Sequence, residues 1–120
     1  EQFTEFLNQE KCVNLSNILY SWRVENPISR VLGESNILYI GQTSKSFYKR
    51  YSGTKAFEIE VRFFKIFYQH VMKLYGPISI EIIQTDNPKK AECEALSVYF
   101  NNHLEPPPLN RAIPQLPDNT

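Results

Sequence analysis

Apolar residues recur along this chain with two different periods. Over NILYSWRV (residues 17–24) they alternate, with Ile18, Tyr20 and Trp22 on one side and Leu19, Ser21 and Arg23 on the other. That is the period of a β-strand. The word NILY returns at Asn36–Tyr39, and NILYIGQ (residues 36–42) predicts a second strand. There Ile37, Tyr39 and Gly41 share one face, and Leu38 and Ile40 the other. The flanks of the two copies do not match, so NILY is not an architectural repeat. Between them ENPISRVLGES, with Pro27 and Gly33, predicts a connection, and strands joined so closely predict an antiparallel pair. A third strand is expected at ISIEIIQT (residues 78–85), which is apolar and β-branched.

Helical spacing takes over from Ala56 to Tyr75. Phe57, Val61, Phe64, Tyr68, Val71 and Tyr75 step by four and three, while Glu58, Arg62, Lys65, Gln69 and Lys73 form the wet face. Gly76-Pro77 stops this helix. Before it, Ser44 or Ser46 can cap a short helix, SFYKRY. After the third strand, Asp86 or Asn87 is a suitable N-cap, with Pro88 in the first turn. The last helix should run from about Pro88 to His103 and end before Pro106-Pro107-Pro108. Residues 1–14 read as a short helix or an irregular arm in which Phe3, Phe6 and Leu7 can pack. The expected order is β-β-α-α-β-α, a small sheet covered by helices, within α/β (α+β) architecture.

The totals bound this picture. A chain of 120 residues supports one compact domain and is too short for two. No apolar run reaches the roughly 20 residues that span a bilayer. The start, EQFTEFLNQEK, is too acidic and polar for a signal peptide, and a first residue other than Met is expected of a piece of a longer protein. Cys12 and Cys93 stand alone, outside any CxxC or Cys/His cluster, so no zinc site is readable and a reducing cytoplasm is expected. The net charge is zero, but residues 42–73 carry seven bases (Lys45, Lys49, Arg50, Lys55, Arg62, Lys65, Lys73) against two acids. That local excess can meet a phosphate backbone, or it can be a solvated helix face.

Several residues could carry chemistry. If the first two strands pair in register, Tyr20 and Tyr39 bring two phenols to one face, although strands favour Tyr for packing alone. Gly41 removes a side chain where another backbone or a ligand comes close. Arg50, in the short helix, can grip a phosphate through paired hydrogen bonds. In KKAECEALSVYF, Glu92 lies in line with Ala95, Leu96 and Tyr99, the core-facing stripe, and Glu94 in line with Ser97, Val98 and Asn101. An acid on an apolar stripe costs free energy unless it is paired or binds a metal, which singles out Glu92. Asn110 follows a rigid Pro-Pro-Pro-Leu segment that can set down one polar side chain accurately. His70 and His103 read as structural.

Taken in order, ILY (Ile18-Leu19-Tyr20), YIGQT from Tyr39, Arg50, a helix glutamate and PLN ending at Asn110 resemble the GIY-YIG nuclease family. The resemblance spans residues 17–110, with 1–16 as an N-terminal arm or short helix and 111–120 as a Pro-rich tail. It implies a three-stranded antiparallel sheet flanked by helices and an endonuclease that hydrolyses DNA phosphodiesters with one divalent metal, Mg²⁺ or Mn²⁺. Glu92 would hold the metal, with Glu94 as the alternative. One of Tyr20 and Tyr39 would activate the attacking water and the other would orient it or the phosphate. Arg50 would offset charge growing on the phosphate, and Asn110 would brace the site. Gln42, Lys45, Lys49 and Lys55 would contact DNA. A homodimer or additional DNA-binding domains would supply grip.

Three departures stand out. Ile18 occupies the place of the first motif's glycine. The loop between the tyrosines and the span from Glu92 to Asn110 are long. KKAE at 89–92 is similar to the version in restriction-enzyme members with a prolonged last helix. Two other readings compete: a nuclease-fold domain that binds nucleic acid without cutting it, and a small structural or interaction domain.

Overall fold

The computed structural model describes residues 2–52 and 63–110. Lys55, the 56–62 part of the expected long helix and the Pro-rich 111–120 segment lie outside the described residues. The elements are α1 (Gln2–Leu7), α2 (Glu10–Asn14), β1 (Ile18–Ser29), β2 (Glu34–Thr43), α3 (Phe47–Tyr51), α4 (Phe63–Tyr75), β3 (Ile78–Gln84) and α5 (Pro88–His103). The fold is α+β: a three-stranded sheet in the order β2-β1-β3, with both pairings antiparallel.

One face of the sheet carries the main core. Ile18, Tyr20, Trp22 and Val24 project from β1 into a cluster with Leu7, Cys12, Phe47, Tyr51 and Val71 of the flanking helices. Ile18, in place of a motif glycine, is fully buried there, so a side chain at this position adds apolar burial to the core. The other face is covered by α5, which packs on β2 and β1. A cleft of about 370 Å³ remains between them, lined by residues that include Leu19, Ile37, Ile40, Ile83, Val98 and Tyr99.

Caps fix the helix bounds. The Ser46 side chain accepts from Lys49 N at 3.1 Å, and the Asn87 side chain from Lys90 N at 3.2 Å, with Pro88 in the first turn of α5. Leu104, left-handed at φ 63°, closes α5 by donating to Phe100 O.

The hairpin departs from the sequence expectation. Both strands run well beyond 17–24 and 36–42, so most of ENPISRVLGES is strand rather than connection. Only a tight turn closed by Arg30 N donating to Gly33 O, 2.9 Å, joins them, with Gly33 at φ +71°. Pro27, which cannot donate to a ladder, sits in the unpaired stretch between Arg23 and Ile28. A second irregularity matters more. Trp22 faces Tyr39 but Arg23 faces Ile37, so Leu38 is an extra residue in β2. A bulge reverses the faces beyond it. Leu38 therefore joins the main core, while Ile37 lines the cleft under α5 beside Ile40. The expectation that Ile37 shares a face with Tyr39 is corrected accordingly.

Candidate active site

The pairing of Tyr20 with Gly41, and of Trp22 with Tyr39, places both tyrosines on the core face. Their ring centroids are 6.2 Å apart. Gly41 makes this possible. A Cβ at that position would stand 2.7 Å from the Cζ and Oη of Tyr20 and 2.8 Å from Cε2 of Tyr39. What comes closest to the glycine within the protein is thus the two phenol rings.

The phenols differ in access. Tyr20 is 1% exposed, whereas Tyr39 is half-buried. Burial is the main influence on both and raises their pKa values, that of Tyr20 to about 12. Arg50 pulls each of them down and Glu92 pushes each up, so both charges lie within electrostatic reach of the pair. The carboxyl of Glu92 is itself raised by burial. Glu94, two residues on, is exposed. Half-buried Arg50 lies over the ring of Tyr51 at 5.3 Å.

Asn110 does not enter this cluster with its side chain. Its Nδ2 donates to Ile40 O at 2.9 Å and its Oδ1 accepts from Ile40 N at 3.0 Å. It braces the strand residue that separates Tyr39 from Gly41. The placement follows from fully buried Pro107 and from Leu109 N donating to Leu38 O at 3.0 Å.

The nucleic-acid contacts expected from sequence divide. Lys45 and Lys49 are exposed around the start of α3. Gln42 faces Leu19 across the ladder and so, by strand alternation, falls on the opposite face of β2 from Tyr39 and Gly41. Its side chain is not part of the phenol cluster.

Tyr51 has no role in the site as read from the sequence. It is buried, and its hydroxyl shares a hydrogen bond with that of Tyr20 at 3.3 Å. Its ring packs on Tyr20, Trp22 and Phe47 with centroids 5.7, 5.7 and 4.6 Å away. The available signal was its spacing of four from Phe47, which puts both on the inner face of α3. Behind it Trp22 stacks on Tyr68 at 5.3 Å, and burial lifts the Tyr68 phenol to about 12.

Among the described residues no three His, Cys, Asp or Glu side chains gather into a metal-binding group. The donor set at this end is one half-buried carboxylate, Glu92, with phenol oxygens in reach of its charge. Hard oxygens and few protein ligands suit Mg²⁺ or Mn²⁺, ions that keep several waters and share the rest of their shell with a phosphate.

No family model, curated protein or solved structure matches the chain.

Proposed function

We propose that this chain is a divalent-metal-dependent DNA endonuclease of the GIY-YIG kind. The observation that carries the reading is the pair of phenols, Tyr20 and Tyr39, on one face of the sheet with ring centroids 6.2 Å apart and Gly41 clearing the space between them, within electrostatic reach of Arg50 and Glu92. In this reading Glu92 holds the metal. A divalent ion held by Glu92 would supply Lewis-acid stabilisation of charge on the phosphate. Tyr39 as phenolate takes a proton from the attacking water, whose oxygen forms the new bond to phosphorus as the bond to the leaving oxygen breaks. Arg50 donates to the non-bridging oxygens as their charge grows. Lys45 and Lys49 hold the DNA backbone on the flank of α3, and a second copy or a further DNA-binding domain adds grip. The two isolated cysteines, Cys12 and Cys93, suit a reducing, cytoplasmic setting.

The phenols carry an electrostatic requirement. Burial holds Tyr39 above its usual range of roughly 10 in the ligand-free chain. Cationic charge from Arg50 and a bound ion favours the phenolate, so cutting should need the metal.

The test is incubation with supercoiled plasmid and Mg²⁺ or Mn²⁺, beside Glu92→Gln, Glu94→Gln and Arg50→Ala. Cutting that is lost with Glu92→Gln and Arg50→Ala but survives Glu94→Gln is expected. Loss with Glu94→Gln alone moves the metal to that residue. DNA binding without cutting under every condition replaces the enzyme with a binding-only domain.

A further inference from the structure

The two outer strands of the sheet differ in what lies beside them. On the side away from β1, β2 is bonded by Leu109 and Asn110. β3 is the other outer strand, and among the described residues its ladder runs to β1 alone. A strand with one neighbour turns the N–H and C=O of every second residue outward. Such edges are commonly blunted by a bulge, a proline or a projecting charge. Within β3 these devices are missing. Its register with β1 is unbroken from Val24↔Ile78 to Ile18↔Gln84. Its sequence, ISIEIIQ, holds four isoleucines and one charge, Glu81, which Arg23 of β1 meets at 3.1 Å. Ile83 is 53% exposed.

The sequence of this edge fits a second copy of itself. Two antiparallel copies of β3 meet about a two-fold axis that sets one residue opposite its own copy. Centred on Glu81, the pairing would oppose two carboxylates, which is unfavourable. Centred on Ile82, it would oppose Ile80 to Gln84 and Glu81 to Ile83. Centred on Ile80, it opposes Ile80 to its copy, Ile78 to Ile82 and Ser79 to Glu81. That register alone gives an apolar row on the core face and a hydroxyl beside each carboxylate on the other face. It also keeps the two Glu81 side chains apart, and a net charge of zero adds no general repulsion between copies.

We propose that β3 is the surface through which two copies of this chain associate, edge to edge and antiparallel about Ile80, to make one continuous six-stranded sheet. Half-buried Ile78, Ile80 and Ile82, which pack against the main core, join across the axis and extend both cores. An axis normal to the sheet keeps the phenol faces of both copies on the same side. The association does not depend on the nuclease reading.

The experiment is sedimentation velocity of the whole chain, without DNA, over a concentration series reaching well into the micromolar range. The wild type should show a monomer–dimer equilibrium. Ser79 is exposed and lies opposite Arg23 of its own β1, so Ser79→Glu should leave the fold intact by circular dichroism. It sets two new like-charge pairs across the axis and should weaken association roughly tenfold. Ser79→Lys, which faces Glu81 of the second copy, should strengthen it. Ile80→Cys should oxidise to a covalent dimer, whereas Gln84→Cys, which does not meet its copy in this register, should not. A wild type that stays monomeric throughout overturns the proposal. So does a dimer indifferent to both changes at Ser79, or one that Gln84→Cys cross-links and Ile80→Cys does not. If Ser79→Glu or Ile80→Cys fails to fold, the response to Ser79→Lys decides. Plasmid cutting is not a readout in any arm, so failure of the nuclease reading leaves this test standing.

Discussion

The two ends of the sheet treat polar groups in opposite ways. At the hairpin tip, polar groups lock the chain together. Arg30 pairs with Glu105 at 3.2 Å and donates to Pro106 O at 2.7 Å. Val31 N donates to Glu105 at 2.8 Å, Leu32 N donates to His103 O at 3.1 Å, and His103 Nδ1 meets Leu32 O at 2.9 Å. Because Leu32 O can only accept, Nδ1 carries the hydrogen. At the phenol end, burial raises the pKa values of Tyr20, Tyr39 and Glu92 and so disfavours their ionised forms. The two ends share β1, β2 and α5. The tip clasp holds α5 near its C-terminus, about three turns beyond Glu92. One end is tied by hydrogen bonds and an ion pair, and the other holds phenols and a carboxyl whose neutral forms burial favours. Chemistry and stability should therefore separate by position.

The sharpest break is Glu92→Gln. Cutting should fall by roughly a hundredfold or more, yet the ligand-free chain should become more stable at neutral pH. The folded carboxyl sits above its ordinary value, so the folded chain binds that proton more tightly than the unfolded chain does. The stabilisation this provides is full below the unfolded pKa and is lost as pH rises through the folded one. The Gln variant should consequently gain on wild type in urea melts at pH 7 and lose that advantage below about pH 4. An equal difference at both pH values would remove the distinction between the two ends.

Gly41→Ala comes next. The added methyl meets rings that are hemmed in, and overpacking of this kind costs roughly 1–3 kcal/mol, read as a lower urea midpoint together with lost cutting. At the opposite end, Arg30→Ala should cost about 1 kcal/mol and leave the cutting rate per folded molecule unchanged. A rate loss there would mean that the clasp sets the position of Glu92 more tightly than its distance suggests. The smallest effect belongs to Tyr99, whose hydroxyl is buried with no hydrogen-bond partner among the described residues. Tyr99→Phe should raise stability by about 1 kcal/mol, measured by thermal melting, without altering cutting.

What the sequence disclosed follows from the range of the interactions. The last helix is written in local signals, Asn87 and Pro88 at one end and the prolines at the other, and it forms over Pro88–His103. The hairpin is decided by partners on the other strand. Pro27 and Gly33 read as a connection, yet pairing carries the strands on to Ser29 and back from Glu34. The bulge at Leu38 exists only in the pairing, so alternation along β2 misplaced Ile37 and kept Leu38 out of the core. For the site, Tyr20, Tyr39, Arg50 and Glu92 could be named from type and spacing. The bond between Tyr51 and Tyr20 joins residues on a helix and a strand, and no local pattern announces it. Gln42 follows YIG in the sequence, and strand alternation puts it on the other face of β2 from the phenols.

The amide of Asn110 has a consequence for how this sheet can meet other chains. It takes both the N–H and the C=O of Ile40 on the side away from β1, as Leu109 takes the carbonyl of Leu38. A side-chain amide satisfies those groups as a neighbouring strand would, but it has no further peptide ladder to pass on. The outer border of β2 is thus finished chemically at these two residues. Recruitment of a foreign strand, whether in ordered assembly or in aggregation, cannot begin there.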